Sequence, residues 1–431
     1  MKIVLFEDER LADLYPLVYL RAAFDLRCGI FTLKDKIQEK FPGCKLYLET
    51  RDELDAVTAE RHGAETVNSH DAVRPDDDVL LVNAAAILTG APSTYSERER
   101  VVLGEDGRFI WAFLERDTVE RLDTPASIGL AEKAAQVLPK ETGQDILIRY
   151  PWDLIHHNPG QIESDFRQFS GPAAKSTPLQ GAAMIGPSEN LYIGENVELQ
   201  PHTWIDCRTG PVILSDGVKV SAFTSIHGPA FIGKNTQLFE AQVREGCSIG
   251  PVCRVGGEVE ESIFQGHSNK YHTGFLGHSY VCEWVNLGAL TTNSDLKNDY
   301  TTVKVQVGTE QVDTGQLKVG AFIGDHTKTS IGTLLNTGTM VGIMCNLMAG
   351  SSVLPKYIPS FAWYLQDRIS KGLGLRHALS TARAAMSRRK VELTQAMEDL
   401  IRHAEEITRE QKLSYVKKDR KKVGRSPQSQ P

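Results

Sequence analysis

The stretch AFIGDHTKTSIGTLLNTGTMVGIMCNLMAGSSV, residues 321–353, decides the fold of the second half of this 431-residue chain. Every sixth position within it is apolar except one, in the series Ile323, Thr329, Leu335, Val341, Leu347 and Val353. Neither an α-helix nor a single strand has a period of six. A parallel β-helix does, because each six-residue face turns one aliphatic side chain inward. The stretch therefore predicts a parallel β-helix.

The same period recurs upstream, so we expect the β-helix to span residues 191–355. Its earlier apolar positions are Ile193, Leu199, Ile205, Ile232, Leu238, Ile249, Val255, Phe275, Val281 and Leu287. Coils of such a prism contact only their neighbours, so the open ends need caps. Its flat faces are suited to packing in trimers.

A different pattern precedes the β-helix. Short runs rich in Val, Ile and Leu alternate with helix-length segments, at 2–6, 45–49, 79–88 and 145–155. This alternation predicts an α/β, Rossmann-like domain over residues 1–170, with a mostly parallel sheet. Residues 171–190 are rich in Gly, Pro, Ala and Ser and are predicted to form a linker.

The C-terminal part, residues 356–431, carries a heptad pattern. Leu379, Met386, Leu393, Leu400 and Ile407 recur every seven residues in a stretch free of Gly and Pro from 375 to 415. One long amphipathic helix is predicted, which either caps the β-helix or ties subunits together. The basic run 412–425 is typical of a solvated tail, with a specific binding role as the alternative.

The charge, the cysteine spacing and the apolar runs of the sequence argue against several classes of protein. A formal net charge of -7 argues against a dedicated nucleic-acid binder. The seven cysteines form no C-x-x-C pair, which is typical of a reducing compartment. No apolar run is long enough to span a membrane, and acids at Glu7 and Asp8 interrupt the N-terminal one. We expect a cytoplasmic protein.

The segment NKYHTGFLGHSYVCEWVNLGALTTNSDLKN, residues 269–298, resembles the acetyltransferase half of the GlmU-type bifunctional enzymes. Those enzymes are left-handed β-helix trimers whose N-terminal half is a sugar-phosphate nucleotidyltransferase, so the resemblance spans nearly the whole chain. The motifs FDLRCG (24–29) and PWDLIHHN (151–158) resemble those of a divergent branch.

The resemblance implies roles for five residues of this segment. His272 matches the general base that takes a proton from the sugar amine, and Asn286 matches the family's first asparagine. Asp295 stands where the family places a catalytic asparagine. Lys270 lies near the sugar-phosphate contacts, and Phe275 replaces a tyrosine. A histidine titrating near neutrality suits proton removal during acyl transfer from acetyl-CoA or another acyl-CoA.

The N-terminal half departs from the family pattern. The glycine-rich phosphate loop is replaced by LFEDER (5–10), and Ala23 falls where a catalytic lysine is expected. The remaining cations, Arg10, Arg21 and Arg27, are predicted to hold phosphates, with ordinary surface pairing as the alternative.

The resemblance also implies a Mg²⁺ site for nucleotidyl transfer. Asn83 and Asn158 match its ligands, with Asp153 as a nearby carboxylate. Asn83 as a strand-end turn residue and Asp153 as a helix N-cap are the structural alternatives.

Other interpretations stay open. For His272, the alternative to a general base is a surface histidine on a coil of the β-helix. The histidines 267, 272 and 278 raise a zinc hypothesis, although their spacing places them on different faces or corners. The implied partners are a sugar phosphate, a nucleoside triphosphate and acyl-CoA, with assembly as a homotrimer and no nucleic-acid partner. The missing loop favours an alternative function, that of a non-catalytic sugar-nucleotide sensor or scaffold.

Overall fold

The computed structural model describes residues 1–169, 181–350 and 352–423. The chain forms two compact units. The first comprises Met1–Leu14, Leu20–Leu26 and Phe31–Tyr150, and the second comprises Tyr15–Tyr19, Arg27–Ile30 and everything from Pro151 onward. Of the predicted linker, residues 171–180 lie outside the described residues.

The first unit is an α/β domain. Its helices are α1 Leu33–Lys40, α2 Asp55–His62, α3 Arg116–Leu122 and α4 Ser127–Val137. Its strands are β1 Lys2–Phe6, β2 Lys45–Glu49, β3 Val79–Asn83, β4 Ala86–Ile87, β5 Arg100–Leu103, β6 Phe109–Leu114, β7 Lys140–Thr142 and β8 Ile146–Leu147. Six of them form one sheet in the order β2-β1-β3-β6-β5-β7.

This sheet is parallel only in part. Strands β2, β1 and β3 are parallel, whereas β6 runs antiparallel to both β3 and β5. The expectation of a mostly parallel sheet holds for β2, β1 and β3 and for the pairing of β5 with β7. It fails at β6, because β5 and β6 form a hairpin that needs no helical crossover. The buried strands β1 and β3 pack on α4 through Val4, Leu81, Leu130 and Ala134.

The second unit is a left-handed parallel β-helix of about ten turns, residues 183–364. In this unit, helix α5, Pro151–Phe169, precedes the β-helix in the sequence. Its strands are β9 Ala183–Ile185, β10 Leu191–Ile193, β11 Glu198–Leu199, β12 Trp204–Asp206, β13 Val212–Leu214, β14 Lys219–Val220, β15 Ser225–His227, β16 Ala230–Ile232, β17 Gln237–Val243, β18 Cys247–Ile249, β19 Arg254–Glu260, β20 Ile263–Phe264, β21 Asn269–Lys270, β22 Phe275–Gly277, β23 Tyr280–Val281, β24 Thr292–Asn293, β25 Lys304–Val307, β26 Glu310–Asp313, β27 Ala321–Ile323, β28 Lys328–Thr329, β29 Leu334–Leu335, β30 Thr339–Val341, β31 Asn346–Leu347, β32 Tyr357–Ile358, β33 Trp363–Leu365 and β34 Arg368–Ser370.

Stacking of the coils explains the period of six. One column of nine strands, from β10 to β32, pairs in parallel register and turns residues such as Ile232, Ile249 and Ile323 into the core. Corner residues adopt positive φ, for example Asn235 at +58° and His326 at +58°. At these corners the chain turns from one flat face of the β-helix to the next.

Most of the predicted hexad positions are buried, but two are wrong. Val353 is 46% exposed, because the chain has left the regular coil by that point. Phe275 is half-buried and faces outward, while its neighbour Leu276 is 1% exposed and occupies the interior. The strand predicted across 145–155 is confirmed only at Ile146–Leu147, because Pro151 starts α5, a position where its missing N–H costs nothing.

The motifs FDLRCG and PWDLIHHN meet within the second unit. The Asn158 amide oxygen accepts from Gly29 N–H at 2.7 Å, and the Ser248 hydroxyl donates to Gly29 O at 2.8 Å. Gly29 has φ +84°, and a Cβ there would lie 2.3 Å from an Asp165 carboxylate oxygen. These hydrogen bonds therefore hold the tight loop at Gly29 and helix α5 against a coil of the β-helix.

The C-terminal heptad region folds as two helices, not one. Helix α6 spans Leu375–Ser387 and α7 spans Gln395–Val423, with Lys390 between them at φ +58°. The prediction of a single helix is wrong because this left-handed residue reverses the chain. Ile407, a predicted seam residue, is 50% exposed.

Helix α7 caps the last coil, as one of the two predicted alternatives has it. The Asp419 carboxylate accepts from Ile369 N–H at 2.8 Å, and Val416 joins the core cluster of the β-helix. The described part of the basic run is helical, and within it Lys412 pairs with Glu405 at 3.0 Å. Residues 424–431 of the predicted tail lie outside the described residues.

Candidate functional site

The predicted acyl-transfer residues occupy an edge between two coils of the β-helix. His272 is exposed in the turn that connects β21 and β22. Lys270, two residues earlier, is 1% exposed because it takes an inward position, one coil above Val255. Its ammonium donates to Gly256 O at 2.7 Å and His272 O at 3.2 Å, and burial lowers the pKa of Lys270 to about 8. Lys270 thus fixes the turn that carries His272.

Phe275 and Asp295 are brought together, whereas Asn286 is not part of their group. A Cβ placed on Gly277 would lie 2.5 Å from both the Phe275 ring and an Asp295 carboxylate oxygen. Asn286 instead contacts Asn269, whose amide nitrogen donates to its oxygen at 3.3 Å. The predicted set is therefore divided between two surfaces of the β-helix.

Asp295 belongs to a buried charged column that we call the acidic corner, made of Glu261, His278 and Asp295. The His278 Nδ1 lies 2.8 Å from Asp295, and its Nε2 lies 3.4 Å from Glu261. Burial disfavours the charged imidazole, but hydrogen bonds to Asp295 and Glu261 outweigh it and raise the pKa of His278 to about 9. His278 is therefore an imidazolium at neutral pH.

The two carboxylates of the corner respond in the opposite sense. The hydrogen bond from His278 lowers the pKa of Glu261. Burial would raise the pKa of Asp295, but the hydrogen bond from His278 outweighs it and the pKa falls below the usual value. The column thus holds one cation between two anions at neutral pH.

A cleft of about 510 Å³ opens onto the acidic corner within the second unit. Its other walls mix apolar and polar side chains, including Trp152, His156, Tyr300 and Lys318. An apolar wall with a few convergent charged groups is the usual form of a small-molecule site.

The same corner offers a possible set of metal ligands. Glu260, Glu261 and His278 present ligand atoms within 4.8 Å of one another. Glu260 already pairs with Lys318 at 3.2 Å, and both nitrogens of His278 face carboxylates. The three histidines of the zinc hypothesis lie in different settings: His267 stacks on Trp284 at another corner, and His272 lies in the exposed turn.

The α/β unit has a cleft of about 360 Å³ at the carboxyl ends of β1 and β2. Glu7 lines it and accepts hydrogen bonds from Ala23 N–H at 2.9 Å and Thr50 Oγ1 at 2.8 Å, with Arg51 Nε at 3.1 Å. On the opposite wall, Glu49 accepts from the Ser127 hydroxyl at 2.7 Å. Open α/β sheets bind ligands at these strand ends.

Next to Glu7, Asp8 forms the second polar group of this unit. Its carboxylate accepts from the Asn83 amide nitrogen at 2.9 Å and pairs with Arg108 at 3.3 Å. The Asn83 oxygen accepts from Ala85 N–H at 2.9 Å. Asn83 therefore both closes a strand-end turn and stands beside a carboxylate, which is the ligand type that Mg²⁺ prefers.

The second predicted metal ligand, Asn158, lies in the other compact unit and is fully buried. Its oxygen accepts from Gly29 N–H and Ser248 Oγ, and its nitrogen donates to Gly246 O at 2.8 Å. These bonds give it a structural role, and its metal-binding role stays a prediction.

The three predicted phosphate-binding arginines have different environments. Arg10 is exposed, on a short 3₁₀ helix over Glu9–Leu14. Arg21 is 1% exposed in the α/β unit. Arg27 belongs to the β-helix unit, where its N–H donates to Tyr280 OH at 3.0 Å and its guanidinium lies over the Phe231 ring. Arg10 alone among them is open to solvent.

Sequence reasoning missed two features that the structure reveals. The acidic corner had a readable signal, because Glu261, His278 and Asp295 are each 17 residues apart, which is one coil. The Asp8–Asn83–Arg108 group had none, because its members come from three distant segments that only the sheet brings together.

Comparisons with known proteins agree with both folds. Residues 3–171 match the family described as sugar nucleotidyl transferase. A bifunctional sugar-1-phosphate nucleotidylyltransferase/acetyltransferase of Sulfurisphaera tokodaii is 31% identical over 249 residues, covering 57% of this chain and 56% of that protein. The bifunctional protein GlmU of Synechococcus elongatus is 25% identical over 217 residues, covering 45% of this chain and 43% of that protein.

The chain thus spans about half the length of the curated relatives it matches. A solved Arabidopsis UDP-N-acetylglucosamine acyltransferase superposes on 49% of this chain and 78% of its own, with 12% identity and a TM-score of 0.26, which is too low to carry an argument. None of the helices in the described ranges has the length and apolar character needed to cross a membrane. Residues 3–171 are thus similar to the sugar nucleotidyl transferase family, and about half of the chain is similar to proteins named as bifunctional sugar-1-phosphate nucleotidylyltransferase/acetyltransferase or GlmU.

Proposed function

We propose that the protein is a transferase of sugar-nucleotide synthesis, with an acyl-CoA-dependent N-acyltransferase site on the β-helix and a nucleotidyltransferase site in the α/β unit. The observation that carries this proposal is that each unit has its own cleft with charged side chains in its lining, and that the cleft of the α/β unit lies at the carboxyl ends of its strands. The similarity to proteins named as bifunctional nucleotidyltransferase/acetyltransferases supports it.

At the β-helix site, His272 takes a proton from the amino group of an amino-sugar phosphate as the amine nitrogen attacks the thioester carbon. The C–S bond then breaks, and the departing CoA thiolate takes the proton from His272. The exposure of His272 leaves the imidazole accessible to a substrate, and Lys270 holds its turn in place. His278, kept protonated by hydrogen bonds to Glu261 and Asp295, holds these two carboxylates in place beside the cleft. Asn286, on the neighbouring surface, positions the acyl donor. We further propose a homotrimer, in which the flat β-helix faces meet.

At the α/β site, Asp8 and Asn83 would hold Mg²⁺. The ion would neutralise charge on the nucleoside triphosphate during nucleotidyl transfer. Arg10 and Arg51 would contact the phosphates, because Arg10 is exposed and Arg51 lines the cleft.

A second function, that of a non-catalytic sugar-nucleotide sensor, is favoured by one observation. The carboxylate of Glu7 accepts the N–H of Ala23, the residue that replaces the catalytic lysine. A carboxylate in this place repels phosphates. This favours binding without turnover at the α/β site and leaves the β-helix site unaffected.

The test offers purified protein a panel of hexosamine-1-phosphates with acetyl-CoA and follows free CoA. UTP and Mg²⁺ are then added, and pyrophosphate is followed. We expect CoA release to fall about 100-fold or more in His272→Ala. The control, His403→Ala, removes an exposed histidine of α7 and should leave the rate unchanged.

The outcomes separate the candidates. CoA release that is equal in His272→Ala and wild type rejects the acyltransferase mechanism. Absence of pyrophosphate, with sugar-nucleotide binding retained in calorimetry, assigns the α/β unit to the sensor class.

A further inference from the structure

A second cavity, of about 360 Å³, lies between one surface of the β-helix and helix α6. We call it the basic groove and define it by its four cationic residues, Arg254, Lys328, Arg388 and Arg389. Its lining also includes Asn269, Asn286, His267 and Trp284, and among the described residues it contains no Asp or Glu. Neither proposed reaction uses these four cations.

One wall of the groove is a ladder of side chains from successive coils. Arg254 pairs in register with Asn269, Asn269 with Asn286, and Asn286 with Lys328. These positions face outward, because each alternates with an inward residue, as Asn269 does with Lys270. The β-helix therefore presents polar and cationic groups in a straight row at the spacing between its coils.

The other wall comes from the end of α6. Arg388 and Arg389 directly follow this helix, and the Arg389 guanidinium donates to the Asn269 amide oxygen at 2.8 Å. Burial, together with the charges of Arg254 and Arg388, lowers the pKa of Arg389. Three guanidinium groups therefore lie close enough to repel one another.

Within the described parts of the chain, none of the four cations forms an ion pair with a carboxylate, and only Lys328 is influenced by a nearby acid, Asp325. The Lys328 ammonium donates to two neutral acceptors, Trp284 O at 2.6 Å and His326 O at 2.9 Å. In contrast, two exposed arginines of α7 have acidic partners, Arg402 with Glu398 and Arg409 with Glu405. A concave cluster of uncompensated cations is electrostatically unfavourable unless an anion occupies it.

We propose that the basic groove binds a small molecule through two adjacent phosphate groups. Guanidinium groups match phosphate oxygens in bidentate geometry, and the amides of Asn269 and Asn286 add neutral donors. The volume accommodates a diphosphate rather than a whole nucleotide sugar. The two faces of Trp284 are occupied by His267 and His326, so the indole offers no stacking surface for a base.

The four cations of this site take no part in the proposed acyl and nucleotidyl transfer, although Asn286 is shared with the proposed acyl-donor site. The diphosphate could be inorganic pyrophosphate or the diphosphate of ADP or CoA, and the chemistry of recognition is the same for each. The test is calorimetric titration of the full chain with pyrophosphate, ADP and CoA in separate arms, without Mg²⁺ and at constant ionic strength.

The variants decide whether binding occurs at this groove. Arg388→Gln/Arg389→Gln removes two charges from the α6 side, and Arg254→Gln removes one from the β-helix side. The matched control is Arg376→Gln, which removes an exposed charge at the start of α6, away from the groove. We expect both groove variants to weaken pyrophosphate binding at one site at least 10-fold, and the control to match wild type.

The titrations with pyrophosphate, ADP and CoA distinguish the sources of the phosphate groups. Equal pyrophosphate and ADP binding, lost together in the groove variants, supports recognition of the diphosphate itself. Two results would overturn a diphosphate site. In the first, the protein binds CoA but not pyrophosphate, and the groove variants lose the CoA binding. In the second, pyrophosphate binds with unchanged affinity in both groove variants.

Discussion

The acidic corner and the basic groove are built by the same coils but manage their charges in opposite ways. In the corner, the cation His278 lies between Glu261 and Asp295, so the group is neutralised from within. In the groove, Arg254, Arg388 and Arg389 have no carboxylate partner among the described residues. The difference indicates that the corner contributes to stability by itself, whereas the groove is completed by a ligand. Four measurements test this contrast, in order of decreasing effect.

The largest effect is expected for His278→Gln. It leaves Glu261 and Asp295 without their cation, and an uncompensated buried charge is costly. We expect the free energy of unfolding to fall by about 3 kcal/mol at pH 7. Urea denaturation measures it, with His403→Gln as the exposed control. A loss equal to that of the control would show that the corner is not a stabilising cluster.

Stability should also depend on pH through His278. Its pKa of about 9 in the folded protein exceeds the unfolded value. Its contribution is therefore complete below about pH 6.5 and is lost as the pH rises toward 9. Between pH 6.5 and 8 we expect a loss of about 1.5 kcal/mol.

Lys270 and Lys328 act in the opposite direction near pH 8, because burial lowers the pKa of each to about 8. The informative quantity is therefore the difference between wild type and His278→Gln at each pH. A difference that does not change from pH 6.5 to 8 would contradict the assignment.

A smaller effect is expected for Asp295→Asn, which restores the family's asparagine. The amide oxygen can still accept from His278 Nδ1–H, so the hydrogen bond survives while the charge is lost. We expect the pKa of His278 to fall below 9 and stability to decrease by about 1 kcal/mol. NMR titration of the imidazole checks the first and urea denaturation the second. An unchanged pKa would mean that Asp295 does not hold the proton on His278.

The smallest effect, with the opposite sign, is expected for Arg388→Gln. Removing one of three clustered guanidinium groups relieves repulsion, and we expect a gain of about 0.3 kcal/mol in low salt, with no added phosphate. At about 1 M NaCl the gain should vanish, because the screening length falls to about 3 Å. A destabilisation in low salt would mean that the groove is neutralised from within, like the corner.

The sequence predicted the β-helix well because its signal is repeated. Ile232, Ile249, Ile323 and Val341 each report the same local environment, so the errors at Phe275 and Val353 do not change the fold. Helix α6 and helix α7 show the limit of this reasoning. Their heptad continues through residues 388–394, and nothing in an apolar pattern records that Lys390 adopts positive φ.

The candidate sites were less predictable. The resemblance assigned roles to His272 and Asp295, but it did not predict which side chains surround them. Lys270 is an interior residue, and Asn286 lies on a different surface. Asn158 was assigned to a metal by the same resemblance, whereas its hydrogen bonds to Gly29 and Gly246 hold α5 on a coil.

By itself, the sequence determined the two fold classes, because hydrophobic periodicity is a local property that each strand or coil repeats. The tertiary structure decided which charges meet. Asp8 faces Asn83 and Arg108 through the order of the sheet, and Arg389 faces Asn269 because the chain turns back after α6. Electrostatic interactions depend on distances between side chains that are remote in sequence, and only the folded chain sets those distances.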